Sequence, residues 1–395
     1  MDFQLTDEQR QLSDSLERLL AQQYGVDQRK AIIGSQSGFS AAIWSKLAEL
    51  GILSLPVSEK AGGFGGGAVD LIRPMALVGQ ALVVEPVLAQ LTAQRLLDKA
   101  TARAGPDGSD GKQSALELLQ QAVAGEQRLA WAQPSSAHAR GFTASASGKD
   151  WTLNGTCTGV FGAEGAGHLL ATARTADAGA AGAGGAPGKE GPALFLVPAN
   201  APGVNLRGGR ALDNQRIADV SFDGVRLSGA QKVASGSGAS DAIEDAADFA
   251  SALLCAEAVG LIDYACQATL EYLKTRKQFG TTIGSFQALQ HRIVDLHVEL
   301  EQVRSMAALA CSKYDAAGDG QIPVAQRTKA VAGARVLVGK AATKVAQESV
   351  QLHGGMGMAE ELKISHTFRR LTVLAQQSGN VSFFLDRFIA ADRQL

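Results

Sequence analysis

Apolar residues recur along this chain at two spacings, and the switches between them divide it into three parts. Near the start, Leu12, Leu16, Leu19 and Leu20 fall on one face of a helix. Thr6 and Gln9, ahead of them, form a capping-box pair that predicts where this helix begins. Trp44, Leu47 and Leu50 mark a second helix, with Gly51 placed to cap its C-terminus. Helical patterns run on to about Lys99, and a loop, AGPDGSDGKQS, separates them from another helical stretch ending near Gly125. The segments then shorten and alternate or become β-branched: WTLNG (151–155), HLLATAR (168–174), ALFLVPA (193–199) and RIADVSFDGVRL (216–227). Gly, Pro and Asn punctuate them, as in a small antiparallel β domain. From about Ser240 long helical patterns return, roughly over 241–275, 286–315, 324–352 and 380–393, which predicts a four-helix bundle. The expected architecture is mainly α with a central β domain. An N-terminal helical domain (1–127) leads to a small antiparallel β barrel or sandwich (128–235), and a C-terminal four-helix bundle (236–395) follows.

Two low-complexity stretches interrupt this pattern. The glycine run at 61–67 has no leading strand and no Gly-Lys-Ser/Thr, so it reads as a flexible connection rather than a phosphate loop. The Ala/Gly-rich insert at 176–192 reads as a mobile hairpin loop without chemistry. No strand–GxGxxG–helix unit is present, which argues against a nicotinamide enzyme of the Rossmann type.

Composition narrows the function classes. With 46% hydrophobic and 19% charged residues, the 395-residue chain reads as soluble and globular. A net charge of −2 leaves no basic footprint for nucleic acid. No apolar run approaches the roughly 20 residues of a membrane span, so no membrane partner is expected. The polar start, MDFQLTDEQR, is unlike a signal or transit peptide, which makes the cytoplasm the default compartment. The four cysteines lack C-x-x-C spacing and the six histidines are dispersed, so no metal site is expected. His291 and His353 read as packing residues.

The most informative chemistry lies between two helices. Arg276-Lys277-Gln278-Phe279-Gly280 forms a basic, amide-bearing corner, and a Thr-Thr-Ile-Gly-Ser turn leads into the next helix. There Phe286, Leu289, Ile293, Leu296, Leu300 and Val303 follow one helical stripe. An arginine ending one helix and amides beginning the next suit an anionic, planar ligand. The same residues also suit an ordinary capped corner between helices.

Arg276, Gln278, Phe279 and Gly280, followed by Phe286, Gln287 and Gln290, resemble the flavin-binding corner of the acyl-CoA dehydrogenase family. Downstream, Gln351-Leu352-His353-Gly354-Gly355-Met356-Gly357 resembles that family's Q-x-x-G-G-x-G segment. The resemblance spans essentially the whole chain and implies the same order of helices, β domain and helices. It implies FAD held between subunits, with Arg276, Gln278, Phe279, Phe286, Gln287, Gln290, Gln351, Leu352, Gly354 and Gly355 reaching a flavin bound mainly by a partner. It further implies α,β-dehydrogenation of an acyl-CoA thioester, electron transfer flavoprotein as acceptor, and a homo- or heterotetramer.

The sequence departs from the family where a catalytic carboxylate is expected. Counting from Gly357, the glutamate position falls on Ser378, and the alternative base position, 26 residues before Arg276, is Ala250. Glu257, two turns from Ala250 in an apolar stretch, is either a relocated base or the partner of an arginine. In the β domain Gly159 stands where a flavin-shielding tryptophan is expected, and Phe161 stands in place of a threonine. The acidic-Pro segment is reduced to Trp131-Ala132-Gln133-Pro134-Ser135-Ser136. Among members of the family, the chain is similar to the small subunit of two-component enzymes acting on pimeloyl-CoA or steroid thioesters. The leading expectation is a flavin-dependent subunit lacking the catalytic Glu. The alternatives are a self-sufficient homo-oligomer using Glu257, and a non-catalytic acyl-CoA-binding or assembly protein.

Overall fold

The computed structural model describes residues 6–103, 109–133, 141–176 and 191–395. Six helices come first: α1 (Asp7–Gln23), α2 (Val26–Gly34), α3 (Ala41–Glu49), α4 (Ile72–Ala81), α5 (Val87–Arg103) and α6 (Ser109–Val123). The capping box at the start of α1 forms as expected: Thr6 Oγ1 accepts from the Gln9 backbone N–H, and Gln9 Oε1 accepts from the Thr6 N–H. Gly51, just past α3, takes the left-handed conformation expected of a helix stop.

Eight strands follow as one sheet: β1 (Leu129–Ala132), β2 (Phe142–Ser147), β3 (Asp150–Phe161), β4 (His168–Ala176), β5 (Gly191–Pro198), β6 (Val204–Arg210), β7 (Arg216–Leu227) and β8 (Lys232–Ser235). The expectation of a purely antiparallel domain is corrected here, because two pairings are parallel. β1 lies beside the first half of β4 (Leu129 opposite His168) and β2 beside its second half (Phe142 opposite Ala173). The two therefore act as one interrupted strand along a single edge of β4, which alternating hydrophobicity cannot reveal. The insert at 177–190 and residues 134–136 of the reduced acidic-Pro segment lie outside the described residues.

The chain then returns to helices: α7 (Gly236–Thr275), α8 (Gln287–Gly318), α9 (Val324–His353), α10 (Lys363–Leu374) and α11 (Val381–Asp392). A hairpin of β9 (Lys277–Gln278) and β10 (Thr281–Thr282) sits between α7 and α8. The sequence pattern predicts four of these five helices; the short α10 was not anticipated. Helix α7 is long and apolar enough to cross a membrane by length and composition, contrary to the expectation that no such run exists. Within the fold, 83% of its apolar window is buried.

The first and third parts share one core. Leu16, Leu47 and Met75 from the N-terminal helices pack in the same cluster as Leu253, Leu300 and Val338. Helices α4 and α7 approach closely enough that a side chain at Gly260 would collide with the Ala76 carbonyl, and one at Gly79 with the Glu257 carbonyl. On α8, Ile293, Leu296, Leu300 and Val303 are buried as expected, whereas Phe286 remains 40% exposed.

The glycine run is pinned rather than flexible. Asp315 of α8 accepts the backbone N–H groups of Ala68 and Val69 at 2.7 and 2.9 Å. Those amides point at a carboxylate of this chain, which is why no phosphate loop forms. Asp315→Ala should strand the Ala68 donor and lower unfolding stability by about 1–3 kcal/mol. Urea denaturation gives the magnitude, and faster protease cleavage within 62–69 locates it.

Candidate functional site

Two regions carry the predicted site: an exposed corner where α7 ends, and a buried cleft beneath α10.

The corner is shaped by the hairpin. Arg276 closes α7, its N–H bonded to the Tyr272 carbonyl at 2.9 Å, and its own carbonyl accepts from Ile283 at 2.9 Å. Phe279 and Gly280 both have positive φ, the backbone of a type I′ turn between strands. This places the Phe279 ring 90% in solvent, edge-on to Phe286 at 6.2 Å. Arg276, Gln278 and Gln287 are exposed, and Arg276 makes no ion pair among the described residues. Gln290 is partly committed, since its Nε2 donates to the Gly284 carbonyl at 2.9 Å.

The second motif arrives from α9. Tyr272 and His353 stack with ring centroids 4.5 Å apart, so the Arg276 hairpin and the Gln351–Gly355 segment meet at one corner. Gln351 is exposed at the end of α9. Leu352 is a correction to the side-chain list: it is buried in the core, leaving only its backbone near the corner. Gly354, at φ 63 and ψ −146, ends the helix in a conformation open to glycine. Beside Gly354 and Gly355 a side chain would meet nothing within 4 Å, so backbone is bare there. An uncommitted guanidinium, free amides, two exposed aromatic rings and bare glycine backbone suit a dinucleotide with an anionic pyrophosphate and planar rings. The residues present therefore fit FAD.

The buried cleft gathers residues that the sequence names for the chemistry of the flavin and its base. The fold brings Phe161, Glu257 and Gln377 onto one cavity, together with Glu85, Gln215 and Arg216. Of the two counted base positions, neither Ser378 nor Ala250 lines it; Gln377, the neighbour of Ser378, does. The cavity holds only about 20 Å³, room for a single water.

Glu257 is occupied. Arg370 Nε donates to its Oε1 at 2.6 Å and Nη2 to its Oε2 at 2.7 Å, a bidentate fork with both side chains 4% exposed. Arg370 Nη1 also donates to Asp213 Oδ2 at 2.9 Å and Gln377 Oε1 at 3.0 Å. Burial alone would lower the pKa of Arg370, but the charges of Glu257 and Asp213 outweigh it and raise it, so the guanidinium stays charged. Of the two readings of Glu257, the structure places it as the partner of an arginine. Arg29 of α2 extends the cluster, donating to the Asp213 carbonyl at 3.1 Å and the Leu82 carbonyl at 2.8 Å.

The other carboxylate on the cavity, Glu85, accepts from Tyr24 Oη at 2.8 Å and the Ser40 N–H at 3.0 Å. Burial raises its pKa in spite of those donors. Ser378 follows in a left-handed turn at φ 62, and Arg335, fully buried, donates to the Gln377 carbonyl at 2.8 Å. Gly159 lies in a bulge of β3 at φ 67, with its N–H on Asp219 Oδ1 at 2.9 Å. A tryptophan at that φ would be strained, which is the local reason a glycine stands there. Reading the residues one by one missed Asp213, Arg370, Glu85 and Tyr272. The apolar spacing Ile364, Phe368, Leu371 and Leu374 was the available signal for α10, which carries Arg370.

Comparison with known proteins agrees with this geometry. The chain matches the acyl-CoA dehydrogenase N-terminal domain over residues 6–96 and the acyl-CoA dehydrogenase C-terminal domain over 236–382, together more than half its length. It is 28% identical over 347 residues to acyl-CoA dehydrogenase FadE12 of Mycobacterium tuberculosis, covering 82% of this chain and 81% of that protein. The FAD complex of PigA superposes with a TM-score of 0.83 at 25% identity over 99% of this chain and 98% of that one. A Tcur3481–Tcur3483 steroid ACAD superposes with a TM-score of 0.81 at 26% identity over 98% of each chain. The chain belongs to the acyl-CoA dehydrogenase family, flavin-dependent oxidoreductases whose cofactor is FAD.

Proposed function

We propose that this chain is the subunit lacking the catalytic Glu in a heteromeric FAD-dependent acyl-CoA dehydrogenase, one that lends its Arg276 corner to a flavin held mainly by the partner. The observation that carries this reading is the Arg370 fork on Glu257. A general base needs a carboxylate able to take a proton from substrate. Each oxygen of Glu257 and Glu85 already accepts a hydrogen bond, and the family's glutamate position holds Ser378.

Bound FAD supplies the acceptor for the hydride that leaves the β carbon of an acyl-CoA thioester as its α proton is removed, the opening reaction of β-oxidation chemistry. The part of this chain is to bind and orient. Arg276 pairs with pyrophosphate charge, Gln278, Gln287 and Gln351 offer amides, and Phe279 and Phe286 present rings to a planar group. Electrons then pass to an electron transfer flavoprotein. The surface supports a partner as well: an open apolar groove of about 810 Å³ runs along α8 past Val294, Val298 and Met306. A tetramer pairing this chain with a base-bearing relative would cover both the groove and the corner.

The test is to purify the chain alone and with its partner and to record visible spectra with acyl-CoA. Full flavin occupancy and bleaching are expected only for the pair. A chain that is yellow and bleached on its own, and that loses turnover on Glu257→Gln with its fold intact, would establish the self-sufficient enzyme instead. Flavin without bleaching, alone or with any partner, would indicate the non-catalytic binding protein. Arg276→Ala should weaken FAD retention by roughly ten- to a hundredfold, the loss of one charge-assisted contact. Retained flavin after extensive dialysis would contradict that role.

The ion pair itself makes a stability prediction. Arg370→Ala leaves Glu257 and Asp213 buried without their cation, and should cost on the order of 3–5 kcal/mol. Replacing both Arg370 and Glu257 by leucine should cost less than Arg370→Ala alone. Denaturant melts of the two variants, compared with the native protein, decide this.

A further inference from the structure

The His353–Tyr272 stack is the contact that joins the two halves of the cofactor corner, and neither residue belongs to the set expected to meet the flavin. Tyr272 stands four residues before Arg276, one helical turn, and its carbonyl holds the Arg276 N–H at 2.9 Å. His353 stands one residue before Gly354 and two after Gln351. The two rings lie 4.5 Å apart at 26°, a stacked arrangement. His353 is buried, and its Nδ1 lies 2.7 Å from the Ser349 carbonyl. Only a protonated Nδ1 can bond a carbonyl, so this fixes the ring as the Nδ1–H form. Burial lowers the pKa of the ring, which keeps it neutral.

The contacts form a continuous line. Ser349 in α9 holds His353, His353 stacks on Tyr272 in α7, Tyr272 holds Arg276, and the Arg276 carbonyl holds Ile283 at 2.9 Å beyond the hairpin. The hairpin itself is a two-residue ladder with β9 exposed and β10 half-buried, anchored further by Ile283 on the core and by the Gln290 bond to the Gly284 carbonyl.

We propose that His353 and Tyr272 are positioning residues that set the spacing between the Arg276 hairpin and the Gln351–Gly355 segment, and so the grip of this corner on a dinucleotide. This rests on the reading that the corner meets FAD. It assigns neither residue a direct contact with the cofactor; they act through Arg276 and Gly354.

The test uses the chain assembled with its base-bearing partner, with two readouts: FAD titrated by flavin fluorescence, and amide hydrogen exchange at Arg276 and Ile283. His353→Leu and Tyr272→Leu should speed exchange at both amides and weaken FAD binding about two- to tenfold, the worth of an aromatic pair. The unfolding midpoint should shift no further than in Arg276→Ala. His353→Phe keeps the ring and should behave as the native protein. His353→Asn keeps a donor near Ser349 but loses the ring, and should behave as His353→Leu. Unchanged exchange in both leucine variants overturns the proposal, as does a phenylalanine variant as impaired as the leucine one. If exchange rises as expected while Arg276→Ala leaves FAD binding intact, the mechanical link stands and the flavin reading of the corner falls.

Discussion

A guanidinium buried at the meeting point of three parts of the chain dictates much of this structure. Arg370 is 3% exposed, and an unpaired charge at that depth carries a penalty of several kcal/mol. The fold meets this constraint with carboxylates from two distant places: Glu257 on α7, and Asp213 in the turn between β6 and β7. Arg29 on α2 then ties the same turn to the N-terminal helices through the Asp213 carbonyl. The helical bundle, the sheet and the first helices are thus held to one another by directional bonds whose loss would leave a charge stranded. Apolar contact alone would tolerate sliding between these parts. A bidentate fork fixes both distance and angle.

The same requirement fixes what the cleft can do. A carboxylate forked by Arg370 at 2.6 and 2.7 Å has its charge matched and both oxygens engaged. Pulling a proton from carbon needs a carboxylate oxygen free to face the substrate, and Arg370 holds both oxygens of Glu257. Structural security and catalytic use of Glu257 are therefore opposed. In the interior, Glu257 serves as a structural joint with Arg370, and the exposed cation of the predicted cofactor corner, Arg276, lies on the surface.

Much of this was legible in the sequence, and the failures have physical causes. Helical stripes, the Thr6–Gln9 box and the switch to short alternating segments are local signals, and they placed the long elements correctly. The Arg276 and Gln351 motifs were visible because their glycines, amides and cation are rare in combination. Three things were hidden. Helix α10 is only three turns long, follows a glycine-rich turn, and carries two adjacent arginines that blur its apolar face. The parallel placement of β1 and β2 against β4 is a matter of strand direction, which period-two alternation does not encode. The fate of Glu257 depended on a residue 113 positions away, so the sequence could state only the choice between base and ion-pair partner. The glycine run was misread as flexible for the same reason: Asp315, which holds it, lies some 250 residues further on.

Phe279 shows how the interior and the surface differ in what they require. A bulky residue with φ of 53 carries strain on the order of 1–2 kcal/mol, and its ring is 90% exposed, so packing within this chain recovers none of it. Asparagine would suit this turn position better and leave no apolar surface in water. The strain does, however, hold the ring outward, edge-on to Phe286 and beside an unpaired Arg276. An exposed ring, a second ring and a free cation fixed in one orientation make no sense as a stabilising feature of the isolated subunit. They are consistent with a surface whose energy is returned only when another chain and its planar, anionic cofactor cover it. The buried Arg370 cluster, by contrast, is complete without any partner. One chain thus combines an interior that engages both oxygens of its forked carboxylate with a corner that leaves a cation and a ring exposed, and that contrast is what the proposed lending role accounts for.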